Sequence, residues 1–240
     1  MQVRRQERLT QAFVMTRSDV GSLHSTFEKH VGNVRLEAKC ADQLERTFVS
    51  LDEFDRFDNP EQRAIRQLTF HARESEFRVT ASLAFDNDET RNVFISIEGD
   101  ESQAIPLNDA LDGQISAMRP WYAMIARTDW TWILLGALAA FILGALVVGS
   151  IISVPSNQMS PADRQGQSRG TLFGIAIGIA PWLLGFALNR LRSRLFPMAT
   201  FAIGHGEKRH KNAEILRTVV VIAFAVSLLA SVAAAFLMRA

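Results

Sequence analysis

The stretch WTWILLGALAAFILGALVVGSII, residues 130–152, decides how this chain is organised, and it contains no Asp, Glu, Lys or Arg. A helix of this length spans about 34 Å at about 1.5 Å per residue, slightly more than the roughly 30 Å hydrocarbon layer of a bilayer. The stretch therefore predicts a transmembrane helix. Two later apolar stretches, residues 170–188 and 218–238, predict two more, so we expect residues 130–240 to form an all-α three-helix transmembrane bundle.

The two parts of the chain differ in charge. Residues 1–129 contain 16 Lys and Arg against 22 Asp and Glu, whereas residues 130–240 contain 10 against 3. The first 30 residues carry several charges and no apolar run, so the sequence predicts no export signal for the acidic part. The only cysteine, Cys40, excludes an intrachain disulfide, which agrees with a reducing compartment.

The connections between the predicted spans indicate an orientation. The second connection is strongly basic, whereas the first, residues 153–169, has two Arg against one Asp. By the positive-inside rule the second connection lies in the cytoplasm. With three spans, the N-terminus is then cytoplasmic and the C-terminus outside. The Arg- and Ala-rich composition indicates a bacterial inner membrane.

Residues 18–120 predict a cytoplasmic α+β domain. A helical period begins at Ser18 and ends near Gly32, and helical spacing returns over residues 106–118. Between them, apolar and polar side chains alternate over residues 34–40, 44–49, 64–73, 77–85 and 92–98. The short, turn-rich links favour sequential antiparallel pairing. We therefore expect an antiparallel meander with one or two covering helices.

Three further segments are expected to lie outside regular structure. The polar residues 1–17 predict a flexible tail, residues 121–129 a juxtamembrane linker, and residues 189–217 a basic cytoplasmic loop. Within that loop, residues 195–204 (LFPMATFAIG) are apolar but too short to cross a membrane. They are expected either to lie at the membrane surface or to fold under the acidic domain.

Small residues recur at a spacing of four in the predicted spans. Such stripes let helix backbones approach closely in lipid. We expect them to pack the spans against one another, with contacts between copies in an oligomer as the alternative. The residues are Gly136, Ala140, Gly144, Gly170, Gly174, Gly178, Ser227 and Ser231.

Aromatic and basic residues mark the expected membrane surface. Trp and Tyr rings favour the head-group region, and Lys and Arg bind anionic head groups at about 1 kcal/mol each. The expected interfacial anchors are Trp121, Tyr122, Trp130 and Trp132. The expected contacts with membrane lipids are Arg190, Arg192, Arg194, Lys208, Arg209, Lys211 and Arg217.

No sequence pattern indicates catalysis. The motifs GxSxG, HExxH, CxxC and GxGxxG are absent. His205 and His210 have only Glu207 between them as a further ligand, which does not make a metal site. The predicted spans carry no ionisable residue in their interior, which argues against an ion-coupled transporter. We expect no enzyme, cofactor, metal or nucleic-acid partner.

The remaining functional class is binding. The cytoplasmic domain is expected to engage a partner protein or a small ligand at the membrane surface, while the spans anchor it or transmit the event. The alternative is a ligand-gated oligomeric membrane effector or channel, in which copies assemble through the stripes of small residues.

Overall fold

The computed structural model describes residues 1–74, 79–88, 90–151 and 181–238. The chain divides into two compact units. The first, which we call the domain unit, contains Met1–Ala126 and Leu195–Ala240. The second, the insert unit, is Arg127–Arg194.

A six-stranded antiparallel sheet forms the centre of the domain unit, with the order β1-β7-β6-β5-β3-β4. The predicted α+β domain with an antiparallel sheet is thus confirmed. The strands are β1 (Gln2–Leu9), β3 (Asn33–Cys40), β4 (Glu45–Phe48), β5 (Ile65–Arg73), β6 (Val79–Asp86) and β7 (Val93–Asp100). Because side chains alternate in each strand, one face carries the apolar residues and the other the polar ones.

Two helices, α1 (Arg17–His30) and α3 (Glu101–Ala117), cover the apolar face. Helix α1 begins with a capping box, in which Thr16 and Asp19 bond to each other's backbone N–H. Its buried face contributes Val20, Leu23 and Phe27 to the core. The short helices α2 (Leu51–Asp55) and α4 (Ala123–Arg127) and a 3-10 turn at Glu61–Arg63 complete the connections.

A small parallel sheet joins the two sequence segments of the domain unit. It pairs β2 (Phe13–Thr16) with β8 (Ala199–Ala202). Phe201 is buried, and its ring lies 5.6 Å from that of Phe13 in an edge contact. The prediction of a basic loop over residues 189–217 is therefore wrong. Of the two placements left open for residues 195–204, folding with the acidic domain is the correct one.

Two other predictions of irregular structure are also wrong. Residues 1–17 contain β1 and β2 instead of a flexible tail. The apolar alternation was hidden because Arg5 and Glu7 occupy the covered face of β1, where Arg5 bonds to Asp112 of α3. Residues 121–129 include α4, whose Ala123 and Ala126 are buried, so this segment is not a simple linker.

The order of the strands differs from a meander at two places, and at the first β1 pairs with β7. At the second, strand β5 pairs with β3 and leaves β4 at the edge. The nine-residue β5 can pair along the whole of β3, whereas β4 has only four residues. Pairing with β3 sets Phe70 opposite Leu36, and both are fully buried.

Helix α5 (Trp130–Ile151) and a helix over residues 181–195, which we call α6, belong largely to the insert unit. Helix α7 (His205–Leu237) ends the domain unit. Among the described residues, one helical segment is long and apolar enough to cross a membrane, His205–Ser231 of α7, and Trp130–Gly144 is a shorter apolar helical segment. Residues 152–180, which contain most of the second predicted span, lie outside the described residues.

Candidate functional site at the start of the C-terminal helix

Asn59 fixes the turn between β8 and α7 to the domain. Its side-chain amide donates to the carbonyl oxygens of Phe201 (3.4 Å) and Ile203 (3.2 Å), and its side-chain oxygen accepts from the N–H of Ile65 (2.9 Å). Asn59 is 1% exposed and has a φ of 48°, a left-handed conformation that asparagine tolerates better than most residues. A single buried side chain therefore joins β5 to the segment that leads into α7.

Two glycines allow this turn to lie against the domain backbone. Gly204 has a φ of 54°, and a Cβ there would lie 2.4 Å from the carbonyl oxygen of Asp58. A Cβ at Gly206 would lie 2.3 Å from the carbonyl oxygen of Phe201. His205 N–H donates to Asp58 O (2.7 Å), so the first turn of α7 starts in direct contact with the domain.

Arg217 makes a second attachment three turns further along α7. It is 2% exposed, and its guanidinium lies 4.6 Å from the centre of the Tyr122 ring. Its Nε donates to the carbonyl oxygen of Leu195. Tyr122, also buried, packs against Phe196 with ring centres 5.6 Å apart. A buried cation over the face of an aromatic ring is a favourable arrangement.

Glu214 links this buried cation to the surface. One carboxylate oxygen accepts from the indole N–H of Trp121 (2.9 Å), and the other lies 3.2 Å from His210 Nε2 and 3.7 Å from Arg217 Nη1. We call Trp121, Tyr122, His210, Glu214 and Arg217 the junction cluster. The cluster joins the segment just before α4, where the chain leaves the domain unit, to α7, which follows the point where the chain returns to that unit.

Part of the hydrogen-bonding capacity in this region is unused. Among the described residues, the Tyr122 hydroxyl, the Thr200 hydroxyl and Arg217 Nη1 are buried without a hydrogen-bond partner of good geometry. Burial raises the pKa of Tyr122, while the neighbouring Arg217 and Thr200 act in the opposite direction. Each such buried atom costs free energy, because it has lost water without gaining a partner of good geometry.

The polar face of the sheet offers a second candidate site. Rows of facing residues cross it, and one row runs from Arg35 through His71 and Ser82 to Ser96. An open groove of about 740 Å³ lies over β3, β5 and β6. Charged side chains surround it, including Glu37, which lies 3.3 Å from His71 Nε2. The groove is lined by Asn33, Val34, Arg35, Glu37, Val49, His71, Ala72, Arg73, Thr80 and Ala81.

The expected interfacial anchors occupy different environments. Trp121 and Trp132 are exposed (55% and 73%), and Trp130 is half-buried. Tyr122 is 1% exposed, so its expected role as a head-group anchor is wrong. The ring is buried because Phe196, in the segment that the sequence predicts to be a basic loop, packs on it.

The expected head-group contacts divide in the same way. Arg190, Arg194, Lys208 and Lys211 are exposed. Arg209 is exposed but donates to the carbonyl oxygen of Asn59 (3.0 Å), and Arg192 donates to that of Thr128 (2.9 Å). Arg217 is buried and cannot contact lipid head groups, so that prediction is wrong.

The stripes of small residues stay untested as packing surfaces. Among the residues that the structure describes, a Cβ at Gly136 or Gly144 would meet no atom within 4 Å, and Ala140, Ser227 and Ser231 are exposed. Gly170, Gly174 and Gly178 lie outside the described residues.

The close helix contact that is present in the insert unit involves a different glycine. A Cβ at Gly185 would lie 2.7 Å from Thr131 Cα. Nearby, the Asn189 side chain accepts from Trp130 N–H (3.0 Å) and donates to Asp129 (2.7 Å), which holds the pKa of Asp129 below its usual value. Gly185 lies seven residues after Gly178, the last glycine of the second predicted stripe, so a spacing of four does not include it.

Comparisons of this chain with known protein families, with curated proteins and with solved structures give no match.

Proposed function

We propose that this chain is an integral membrane protein whose cytoplasmic α+β domain binds a partner protein or small ligand at the membrane surface and passes that event to its C-terminal helix. The observation that best supports this is the continuity of α7 over His205–Leu237. Its first turns are attached to the domain through Asn59 and the junction cluster, and the residues after Thr218 are apolar and mostly exposed. A displacement of the domain therefore displaces the helix.

The topology of the domain unit supports an odd number of spans. The chain leaves this unit after Ala126 and returns at Leu195, and β8 pairs with β2. Both ends of the insert unit are thus on one side of any membrane, so residues 127–194 cross it an even number of times. With α5 and residues 170–188 as two crossings and α7 as the last, the chain has three spans, and its termini lie on opposite sides.

Charge supports the cytoplasmic side for the domain. Exposed Lys208 and Lys211 precede the apolar part of α7, and exposed Arg190 and Arg194 follow the second predicted span. Such residues are retained in the cytoplasm and attract anionic lipid head groups. A bacterial inner membrane is the proposed location.

The polar sheet face is the proposed binding surface. Its groove combines hydroxyl, guanidinium, imidazole and carboxylate groups on three adjacent strands, and rigid strands hold such groups in fixed positions. A partner there would contact the sheet that also carries β5, whose Ile65 N–H is bonded to Asn59. Binding and the attachment of α7 are thus connected through one strand.

A photo-crosslinking amino acid at Thr80, in the groove, tests this surface in cells that express the full chain. We expect it to capture a discrete adduct, of a protein or a small molecule. The same amino acid at Lys29, exposed near the end of α1 on the other side of the sheet, is the matched control. Equal adducts at both positions, or none at Thr80, would contradict binding on this face.

A membrane effector or channel is the second candidate, because no atom of the described residues lies within 4 Å of a Cβ at Gly136 or Gly144 on α5, which would leave both glycines available to another copy. A membrane-potential dye separates the two functions in cells that express the full chain. Dissipation of the potential that is lost in the Gly136→Leu variant supports the effector. An unchanged potential supports the anchor or sensor.

A further inference from the structure

The free edge of β1 is the longest unprotected edge of the main sheet. Among the described residues, β1 pairs with β7 on one side and with no strand on the other. It extends over eight residues, Gln2–Leu9, without proline or a shift in register. The opposite edge strand, β4, has only four residues. Long regular edges are templates for pairing with another strand.

The residues of β1 are complementary to themselves in one register. We propose that two copies of this chain pair through antiparallel β1 strands about a two-fold axis at Gln6, which would give one continuous twelve-stranded sheet. In this register Val3 faces Leu9 of the second copy, and Arg5, which already forms an ion pair with Glu7 of its own copy, also faces Glu7 of the second copy. Each pair occurs twice by symmetry. Apolar and opposite-charge pairs across antiparallel strands contribute roughly 0.2–1 kcal/mol each.

The adjacent registers lack this complementarity. In antiparallel strands, residues that face each other lie on the same side of the sheet. The covering helices of both copies therefore stay on one side of the joint sheet only if one strand slides past the other in steps of two residues. One step in one direction sets Arg5 against Arg5, and one step in the other sets Glu7 against Glu7. Like charges directly opposite each other are destabilising.

The proposed register also has a repulsive pair, Arg4 against Arg8 on the polar face, which likewise occurs twice by symmetry. Both side chains have a partner within their own copy. Arg4 lies 3.6 Å from the Glu98 carboxylate, and the Arg8 guanidinium lies 5.5 Å from the centre of the Phe94 ring. These partners on β7 hold the two cations and reduce their repulsion.

The helix-covered side of β1 also favours a second copy of this chain as the partner of its free edge. A groove of about 180 Å³ lies between β1 and α3 and is lined by Val3, Arg5, Ile97, Ala104, Ile105 and Asn108. Ile105 is 48% exposed. In the proposed register Leu9 of the second copy faces Val3 and therefore lies beside this groove. The edge thus offers an apolar contact next to the Arg5–Glu7 pair, which is what a second β1 supplies.

Disulfide trapping of the full chain in the membranes of expressing cells tests the register. Gln6 is exposed and would face itself at a Cα separation of about 4.5–5.5 Å, within the range of about 4.4–6.8 Å that a disulfide requires. Gln6→Cys should therefore give a dimer under mild oxidation. Gln2→Cys is the matched control, since the two Gln2 residues would lie about 27 Å apart. Both variants retain the buried Cys40.

A charge substitution in the Gln6→Cys background tests the complementarity. Glu7→Lys sets a cation against Arg5 in its own copy and in the second copy, and it should lower the trapped dimer fraction at least several-fold. Glu45→Lys, the same change on the exposed β4 edge, should leave it unchanged. Equal trapping at positions 2 and 6, no trapping at position 6, or trapping of a different protein there would each overturn the proposal. These results do not depend on whether the polar sheet face binds a ligand.

Discussion

Arg217 shows how little a residue's type reveals about its place. In the sequence it is the last member of a basic cluster before an apolar stretch, and such clusters usually contact water and head groups. In the structure it is buried between the Tyr122 ring and the Leu195 carbonyl oxygen. The burial of Arg217 depends on Leu195 and Tyr122, which are distant from each other in the chain, so the local pattern could not predict it.

Arg217→Ala should destabilise the domain strongly. It removes a charge-assisted hydrogen bond of about 1.5–3 kcal/mol and a buried cation–π contact of about 1–2 kcal/mol. For a chain of this size, a loss of about 2 kcal/mol lowers the melting temperature by about 4–8 °C. A thermal melt in detergent, followed by tryptophan fluorescence, measures this. Lys211→Ala, on the exposed side of the same helix, should melt like the parent chain, and equal melting of the two variants would remove Arg217 from the junction.

Cys40 should resist thiol reagents in the folded chain. Its side chain points into the core at 3% exposure, as the alternation of β3 predicted, and burial raises the pKa of the thiol. Since the thiolate is the reactive form, alkylation at pH 8 should be at least tenfold slower than in the denatured chain. Mass spectrometry after a timed reaction with iodoacetamide measures it. Lys39→Cys, one residue away on the polar face, should react rapidly at its new cysteine, and comparable rates at the two positions would contradict the register of β3.

At the scale of elements, the sequence predicted what local periodicity can show. Helices α1 and α3 and strands β3 to β7 lie where the alternation and the helical spacing placed them. The sequence did not predict strands β1, β2 and β8, for physical reasons. The covered face of β1 carries the paired Arg5 and Glu7, and β2 and β8 have only four residues each and pair with each other across more than 180 positions. Pairing at such a distance leaves no local signal.

The turn between β8 and α7 gives a prediction at this scale. In Gly206→Ala the new methyl group would overlap the Phe201 carbonyl oxygen and displace the Asn59 amide, at a cost of about 1–3 kcal/mol. Gly113→Ala, in α3 with no atom within 4 Å of the added methyl, should instead stabilise the chain by up to about 1 kcal/mol. Thermal melts of the two variants should therefore shift in opposite directions. A Gly206→Ala variant that melts at or above the temperature of the parent chain would show that α7 does not begin against the domain.

At the scale of the whole molecule, a mean hydropathy near zero averages over a polar part and an apolar part of the chain. The acidic residues concentrate in the part of the chain that forms the main sheet. The apolar parts of α5 and α7 are largely uncovered by other described residues of the chain. Exposed apolar helices on this scale are stable only when lipid or another protein covers them. The sequence predicted helices over these apolar stretches, but not that α7 begins against the domain, because that attachment depends on Asp58 and Asn59, which lie more than 140 positions earlier in the chain.

Cysteine labelling of intact cells with a membrane-impermeant maleimide tests the three-span topology, since the buried Cys40 contributes little background. Ser156→Cys, between the first two predicted spans, should be labelled from outside, because residues 127–194 must return to the side from which they left. Lys208→Cys, exposed at the start of α7, should be labelled only after permeabilisation. A cysteine added after Ala240 should be labelled from outside in a three-span and in a one-span protein alike. Labelling at this added cysteine without labelling at position 156 would therefore reduce the membrane part to α7 alone, and labelling of position 208 in intact cells would place the domain outside the cell.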